Sequence, residues 1–315
     1  MTELKKSVSQ KLRMAGRDYT RGGWYFVTLS ADYHRHLFGE VVGGRSPVMA
    51  CNALGRLVEQ EWRKIPAYFT GVRLGAAQVM PNHFHGLLWL SGRQTAAHAD
   101  GGGPADGRVV SLGEIINPFK GGVTRQGRRA GVVSRFSENG PNPPRVWQPN
   151  YWDVICFDDD ELAVREAYIR ANPLRWALRR VPRGFIKKSR YVGNTALLNA
   201  TPKRALRLSR KTPEADRARH QSEALAGGAV IVSTFFSPAE REVLDRLLED
   251  GDARLIWLVP LGMPETIPSK WAGAMAAGRA LWLSAFPDDM TAASRESCLR
   301  CNEWALRLEQ RSDAK

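Results

Sequence analysis

The sequence contains no long apolar run and few cysteines. No apolar stretch in its 315 residues is long enough to span a membrane, and the N-terminal segment MTELKKSVSQKLR lacks the apolar stretch of a signal peptide. The four cysteines are too few and too scattered for a disulfide framework. Cys298 and Cys301 form a lone CxxC, which favours two thiols on one helix face over a zinc site. We therefore expect a cytoplasmic protein with reduced thiols.

Positive charge is present in excess, and it is concentrated in one part of the chain. The net charge is +14, yet residues 229–315 hold only 10 Lys and Arg against 13 Asp and Glu. The remaining 36 basic and 19 acidic residues all lie in positions 1–228. A basic region of this strength favours a polyanionic partner, most often nucleic acid. A solvated basic surface that keeps the protein in solution is the alternative.

Hydrophobic patterning in the first part of the chain predicts an α+β fold. Strands are predicted at 22–30, 38–42, 72–80 and 83–90, with a helix over 50–65 that Pro66 ends. Residues 91–108 read as a Gly-rich loop. A short helix at 111–116 is expected to be disturbed by Pro118, with a basic loop or frayed helix at 121–135. The order of elements predicts a ferredoxin-like antiparallel sheet with helices.

The last part of the chain has a different pattern. Residues 229–236, 254–260 and 280–286 are continuous apolar strands that alternate with helices, which predicts a small parallel α/β domain of Rossmann-like type. The polar stretch 201–227 reads as a linker. The predicted organisation is therefore a domain at 1–200, a linker at 201–227 and a domain at 228–315, whose role the sequence leaves open.

Two histidines lie inside the apolar segment VMPNHFHGLLWL. On a strand His83 and His85 point to the same face, about 7 Å apart, and Phe84 points into the core. Gly86 is expected to leave space beside them. Two imidazoles with open positions suit a metal that must contact substrate. An inert, hydrogen-bonded pair is the alternative. The second such motif, His34-Arg35-His36, is interpreted as part of a polar loop, with phosphate as a candidate contact.

Several ordered blocks resemble the REP-associated tyrosine transposases, a branch of the single-tyrosine HUH transposases. The matching blocks are RGGWYFVTLS, VMPNHFHG, FKGGVTR, VWQPNYWDVI and AYIRANP, and the resemblance covers roughly residues 16–200. It implies the HUH transposase fold and an enzyme that cuts and rejoins single-stranded, hairpin-forming DNA. The part after residue 192 resembles a longer form of this branch.

The resemblance also implies roles for individual residues. The nucleophile that forms a 5′-phosphotyrosine corresponds to Tyr168, His83 and His85 correspond to metal ligands for Mg²⁺ or Mn²⁺, and the third ligand position is Asn172, where relatives often carry glutamine. On a predicted helix over 158–172, Tyr168 and Asn172 share one face, while Leu162 and Ile169 can dock on the sheet. Basic residues placed against DNA phosphate are Arg17, Arg21, Lys120, Arg125, Arg128 and Arg129.

Other interpretations remain open at the level of sequence. Without the resemblance, Tyr168 is more simply a tyrosine packed at the sheet edge, and Tyr151 is a competing nucleophile. A catalytically inactive DNA-binding regulator of repeat sequences would need the same basic residues. An RNA-binding module ranks last because the expected aromatic pattern on adjacent strands is not evident. A monomer and a homodimer are equally compatible with the sequence.

Overall fold

The structure, a computed structural model, describes residues 18–44, 46–96, 108–134, 145–209 and 211–313. Arg17, one of the predicted DNA-binding residues, lies outside these ranges. Within them, no helix combines the length and the apolar character needed to cross a membrane. The chain divides into two compact units, one formed by Met1–Val42 and Val48–Pro173 and the other by Gly43–Pro47 and Leu174–Lys315.

The first unit is a mixed α+β structure built on an antiparallel sheet, as predicted at the level of fold class. Its sheet has the strand order β4-β5-β1-β6. The elements of this unit, in chain order, are β1 (Gly23–Ser30), β2 (Gly39–Val42), β3 (Val48–Cys51), α1 (Ala53–Arg63), α2 (Ile65–Tyr68), β4 (Phe69–Met80), β5 (His83–Ala96), α3 (Leu112–Arg129), β6 (Trp152–Cys156) and α4 (Asp159–Arg170).

Helices cover both faces of this sheet. On one face the main core contains Val27 and Phe84 from the strands, Val58 and Trp62 from α1, and Ile116 from α3. The opposite face carries a smaller cluster in which Phe26 and Leu87 pack against α4. The two-residue period of a strand explains the division, because neighbouring residues point to opposite faces.

Helix α3 is longer than the sequence predicted. It runs without interruption through Pro118 to Arg129, where a short helix followed by a basic loop had been expected. A proline inside a helix costs about 3 kcal/mol. The apolar side chains that α3 buries, including Ile115, Ile116 and Phe119, contribute about 1.5–3 kcal/mol each and outweigh that cost. The basic residues of the FKGGVTR block and beyond therefore lie on one rigid helix.

The second unit contains a six-stranded sheet of order β7-β8-β12-β11-β10-β9. Strands β9 to β12 are parallel to one another, and β8 is antiparallel to both β7 and β12. The elements are α5 (Asn172–Leu178), β7 (Arg183–Ile186), β8 (Ser189–Gly193), β9 (Lys203–Ala205), α6 (Glu214–Leu225), β10 (Val230–Ser233), α7 (Pro238–Glu249), β11 (Arg254–Leu258), α8 (Ser269–Ala276), β12 (Ala280–Ser284) and α9 (Arg295–Asp313).

The predicted parallel strands are present, and helices bury both faces of them. Trp271 of α8 and Leu244 of α7 pack on one face, while Cys301 and Leu308 of α9 pack on the other. A capping box formed by Ser237 and Glu240 begins α7. Burial raises the pKa of Cys301 to about 12, so this residue of the CxxC is a protonated core thiol.

The division between the units lies earlier in the chain than the predicted boundary at residue 200. It falls after Pro173, inside α5, because β7 and β8 pair into the second sheet through β12. The stretch 201–227, predicted as a linker, contains strand β9 and helix α6. Strand β9 has only three residues, too few to show an alternating pattern in the sequence.

Candidate functional site

Strand β5 places the two histidines of the HFH motif side by side. Its register sets His83 opposite Ser30 and His85 opposite Thr28 of β1, with both imidazoles on the face that α4 covers. The two ring centroids lie 4.6 Å apart. Phe84, between them, is buried in the main core on the other face, as predicted. The strand thus presents two imidazoles from one rigid surface.

Hydrogen bonds fix the orientation of both rings. The His83 Nδ1–H donates to Asn82 Oδ1 at 2.7 Å, because an amide oxygen only accepts. An uncharged His83 ring with its proton on Nδ1 carries the lone pair on Nε2. Thr28 Oγ1 lies 2.8 Å from His85 Nδ1. Hydrogen bonds of this kind to one ring nitrogen are what orients a metal-binding histidine and sets its tautomer.

The environment keeps His85 uncharged. Burial, followed by the nearby His83, lowers the pKa of His85 to about 3, far below its ordinary value of 6.5. The imidazole is therefore neutral at pH 7 in the metal-free protein. Neutral imidazole is the form that binds a metal ion, so no proton has to be displaced from this ring.

Helix α4 brings Tyr168 against His85 in the same chain. The phenol and imidazole centroids lie 5.4 Å apart, and Phe26 lies 6.0 Å from Tyr168 and 5.1 Å from His85. Leu162 and Ile169 pack in the same cluster, as predicted for the docking face of the helix. Asp158 caps the helix by accepting from the backbone N–H of Glu161. Of the predicted catalytic residues, the structure brings His83, His85 and Tyr168 together.

Asn172 does not share a helix with Tyr168. Helix α4 ends at Arg170, and Asn172 begins α5, where Pro173 is tolerated because the first turn of a helix needs no donor at that position. The Asn172 side chain is buried, and its Nδ2 makes no hydrogen bond with any other residue that the structure describes. Turning the amide by 180° exchanges this nitrogen for an oxygen, so a buried atom of this residue is suited to a ligand role.

No cluster of three His, Cys, Asp or Glu side chains suited to a metal ion occurs in the described part of the chain. A divalent ion at the histidine pair would therefore need a ligand of another kind. The imidazoles of His83 and His85 and an amide such as that of Asn172 are nitrogen and oxygen donors, a combination that suits Mn²⁺ readily and Mg²⁺ less well.

The space beside Gly86 is filled, which corrects the expectation that it is open. A Cβ at this position would lie 2.5 Å from Cζ2 of Trp62 and 2.9 Å from Cε1 of Phe84. The glycine is therefore needed for packing of the Trp62 indole on the core face of the sheet.

Tyr151, the competing nucleophile, is buried in the main core, across the sheet from His85. Tyr168 is therefore the tyrosine that contacts the histidine pair.

Four of the predicted basic residues line one groove of the first unit. Lys120, Arg125, Arg128 and Arg129 of α3 border a cavity of about 690 Å³, together with Arg145. Lys120 Nζ donates to the carbonyl oxygens of Gln148 and Pro149 at 2.7 and 2.9 Å. Burial lowers the pKa of Lys120 to about 8. Arg21 is exposed and is not among the residues that line this groove.

Three further residues near the histidine pair were not assigned such roles from sequence. Thr28 orients His85 through its hydrogen bond. Trp152 of β6 is paired with Thr28 of β1, and its side chain is 39% exposed. Arg165 lies three residues before Tyr168, and its guanidinium lies 5.5 Å from the centre of the Phe26 ring. The helical spacing of Arg165 and Tyr168 is a sequence signal for a shared face, whereas the Thr28 and Trp152 positions depend on strand register.

Comparison with known proteins gives one clear relative. No model of a known protein family matches the chain. An uncharacterized protein of Haemophilus influenzae is 30% identical over 179 residues, which are 53% of this chain and 89% of the relative. A REP-associated tyrosine transposase bound to a REP hairpin is 16% identical over 52% of this chain and 74% of its own, with a TM-score of 0.33. DNA processing protein A from Helicobacter pylori, studied for its single-stranded DNA binding mode, is 21% identical. The match covers 41% of this chain and 66% of that protein, with a TM-score of 0.30.

Proposed function

We propose that this chain, which belongs to the same protein family as the Haemophilus influenzae relative, is a metal-dependent transposase that cleaves and rejoins single-stranded, hairpin-forming DNA. The observation that carries the proposal is the contact between the Tyr168 phenol and the His85 imidazole, with ring centroids 5.4 Å apart. Helix α4 and strand β5 hold this nucleophile and a ligand pair together within one chain.

Tyr168 is the nucleophile in the proposed reaction. Its Oη bonds to the scissile phosphorus, the bond from phosphorus to the 3′ oxygen breaks, and that oxygen leaves as a 3′-hydroxyl after taking a proton. The product is a 5′-phosphotyrosine, which keeps the energy of the phosphodiester, so rejoining needs no nucleotide cofactor. Because a phenol has a pKa near 10, the reaction requires stabilisation of charge on the phosphate.

His83, His85 and Asn172 are the residues that would hold a divalent cation, Mg²⁺ or Mn²⁺. Such a cation supplies polarisation of the scissile phosphate and stabilises charge on its oxygens. Arg165 adds a positive charge on the same helix as Tyr168, near the ring cluster. Its guanidinium is suited to hold a phosphate oxygen beside the phenol.

The DNA strand is proposed to follow the exposed aromatic and basic residues around this site. Trp152 lies two strands from His85 in the sheet, about 10 Å away at roughly 4.8 Å per strand. An exposed indole at that distance is suited to stacking with a base next to the scissile phosphate. The groove lined by Lys120, Arg125 and Arg128 is suited to the phosphates of a hairpin stem.

The topology is compatible with this function. Counted by position in the chain, the strands of the first sheet have the order 4-1-3-2, and the elements follow the order β-α-β-β-α-β. We assign it to the ferredoxin-like arrangement. For the second unit, whose strands β9 to β12 are parallel and covered by helices on both faces, we propose a Rossmann-like assignment.

The test is cleavage of an end-labelled hairpin oligonucleotide in Mn²⁺, with covalent protein–DNA adducts separated on a denaturing gel. We expect Tyr168→Phe to lose both cleavage and the adduct, because the substitution removes the phenol oxygen that would attack the phosphate and keeps the ring packed against His85. Tyr151→Phe, the matched control, should keep both. Undiminished cleavage by Tyr168→Phe, or no cleavage by the unaltered protein under any metal condition, would refute the proposal.

A further inference from the structure

A second basic cleft lies in the C-terminal unit, away from the histidine pair in sequence and sheet. It consists of two adjoining cavities of about 430 and 600 Å³ that share Ser189, Trp304, Leu308 and Arg311. Helix α9 forms one wall, and the segment from β7 to β9 forms the other. We call this feature the α9 cleft.

The α9 cleft is positively charged, although residues 229–315, which supply most of its lining, carry a net negative charge. Five lining residues are cationic and one, Glu303, is acidic; the cationic ones are Lys187, Lys203, Arg300, Arg307 and Arg311. Residues 229–315 as a whole carry 10 basic and 13 acidic residues. A local excess of positive charge in an acidic segment is not explained by a general need for a basic surface.

The three arginines of α9 are exposed and repeat at helical spacing. Arg300, Arg307 and Arg311, with Trp304 between them, lie on one side of the helix over about 16 Å. None of the three forms an ion pair with another described residue, whereas Arg190 and Arg204 in the same unit pair with Asp288 and Glu223. Their charges are therefore not neutralised by ion pairs with the described residues of this unit.

Aromatic rings lie between these charges. Phe286 follows β12 and lies 5.2 Å below the guanidinium of Arg300, and Trp304 is only partly buried although its neighbours Cys301 and Leu308 are core residues. Alternating cations and ring faces along an open cleft are suited to an unpaired strand, whose phosphates meet arginines while its bases stack on the rings. A small anion would engage only one arginine, and an acidic peptide offers no bases for the rings.

We propose that the α9 cleft binds a segment of single-stranded nucleic acid, as a second site separate from the proposed cleavage centre. Three phosphates would meet the arginines of α9, and bases would stack on Trp304 and Phe286. This binding requires neither a metal ion nor Tyr168, so it can hold whether or not the chain cleaves DNA.

The test is fluorescence anisotropy of the full chain with a labelled oligothymidylate, in the presence of a chelator. The variant Arg307→Gln/Arg311→Gln removes two phosphate contacts, so the slope of log affinity against log salt should fall by about 1.4. Arg241→Gln/Arg246→Gln removes the same charge from exposed positions of α7 and is the matched control, expected to leave the slope unchanged. Trp304→Leu should weaken binding by at least about fivefold.

Each outcome decides the proposal. Equal salt slopes for the cleft variant and the α7 control would overturn it, as would displacement of the oligonucleotide by polyglutamate of equal charge as efficiently as by unlabelled strand. Photo-crosslinking of a halogenated oligonucleotide to the peptides containing Phe286 or Trp304 would support it directly, even if Trp304→Leu fails to fold. Competition by an RNA strand of the same sequence and length shows whether the cleft prefers DNA or RNA. Cleavage of hairpin DNA tests the other site separately.

Discussion

At the scale of single residues, the chain offers its own control for the histidine pair. The motif His83-Phe84-His85 lies on a strand, whereas His34 and His36 of the second motif are exposed around a 3-10 turn. The same spacing therefore has different consequences, because only the strand holds both rings on one face. A charged residue, Arg35, in place of the buried Phe84 marks this difference in the sequence.

This difference predicts the result of a metal-binding experiment. His83→Ala/His85→Ala should lower the affinity for Mn²⁺ by at least about a hundredfold, since it removes both imidazole ligands. His34→Ala/His36→Ala should leave the affinity unchanged. Titration followed by electron paramagnetic resonance of free Mn²⁺ measures both variants, and equal losses in the two would contradict the assignment.

A single methyl group tests the packing behind the histidine strand. Gly86→Ala places a Cβ 2.5 Å from the Trp62 ring, which is itself packed between Phe84 and Phe119 at centroid distances of 4.8 and 5.4 Å. Overpacking of this kind costs about 1–3 kcal/mol of unfolding free energy, measurable by urea denaturation.

Gly121→Ala is the matched control for that experiment. A Cβ at Gly121, on the exposed side of α3, would meet no atom within 4 Å. In a helix, alanine is more favourable than glycine by up to about 1 kcal/mol. This variant should therefore be at least as stable as the unaltered protein. Destabilisation by both substitutions alike would show that the Trp62 contact is not the cause.

At the scale of elements, α3 determines the behaviour of the basic groove. Its Lys120 is half-buried, and burial lowers the pKa of its amine to about 8. The amine is charged below that pH and loses its proton as the pH rises through it. One of the four cations that α3 directs to the groove is therefore lost within the range of ordinary buffers.

A pH profile of DNA binding follows from this pKa. The affinity of the unaltered protein for a hairpin oligonucleotide should fall between about pH 7 and about pH 9, as Lys120 becomes neutral. Lys120→Gln should bind more weakly already at the lower pH and show a flatter profile. Anisotropy at constant ionic strength measures both, and identical profiles for the two proteins would exclude Lys120 from the interface.

Element boundaries show where sequence patterns lose information. Strand β1 agrees with the prediction because its alternation and aromatic content are strong, whereas β5 continues to Ala96, into the stretch predicted as a Gly-rich loop. Helix α3 was predicted to break at Pro118 and does not, since the energy of burying its apolar face is larger than the local cost of the proline. Local rules thus fail where tertiary contacts outweigh them.

At the scale of the whole molecule, the net charge of +14 predicts a strong dependence of nucleic-acid binding on salt. With about five or six phosphate contacts, affinity for single-stranded DNA should fall roughly a hundredfold between about 50 and 200 mM salt. Measurement of the dissociation constant across this range checks the prediction. A constant affinity would show that the basic residues are surface charges without a role in binding.

The sequence by itself determined the elements whose evidence is local. The two-residue period of a strand was enough to put His83 and His85 on one face, and the apolar runs were enough to predict the parallel strands β10, β11 and β12. Such features depend on neighbours within a few residues, and these can be read from the order of amino acids alone.

Only the tertiary structure decided which residues meet. It set Tyr168 rather than Tyr151 against His85, filled the space at Gly86 with Trp62, and joined β7 and β8 to the second sheet. It also gathered the arginines of α9 around one cleft with Lys187 and Lys203. The physical reason is the same in each case: burial and contact between residues far apart in the chain depend on packing energies that no local pattern records.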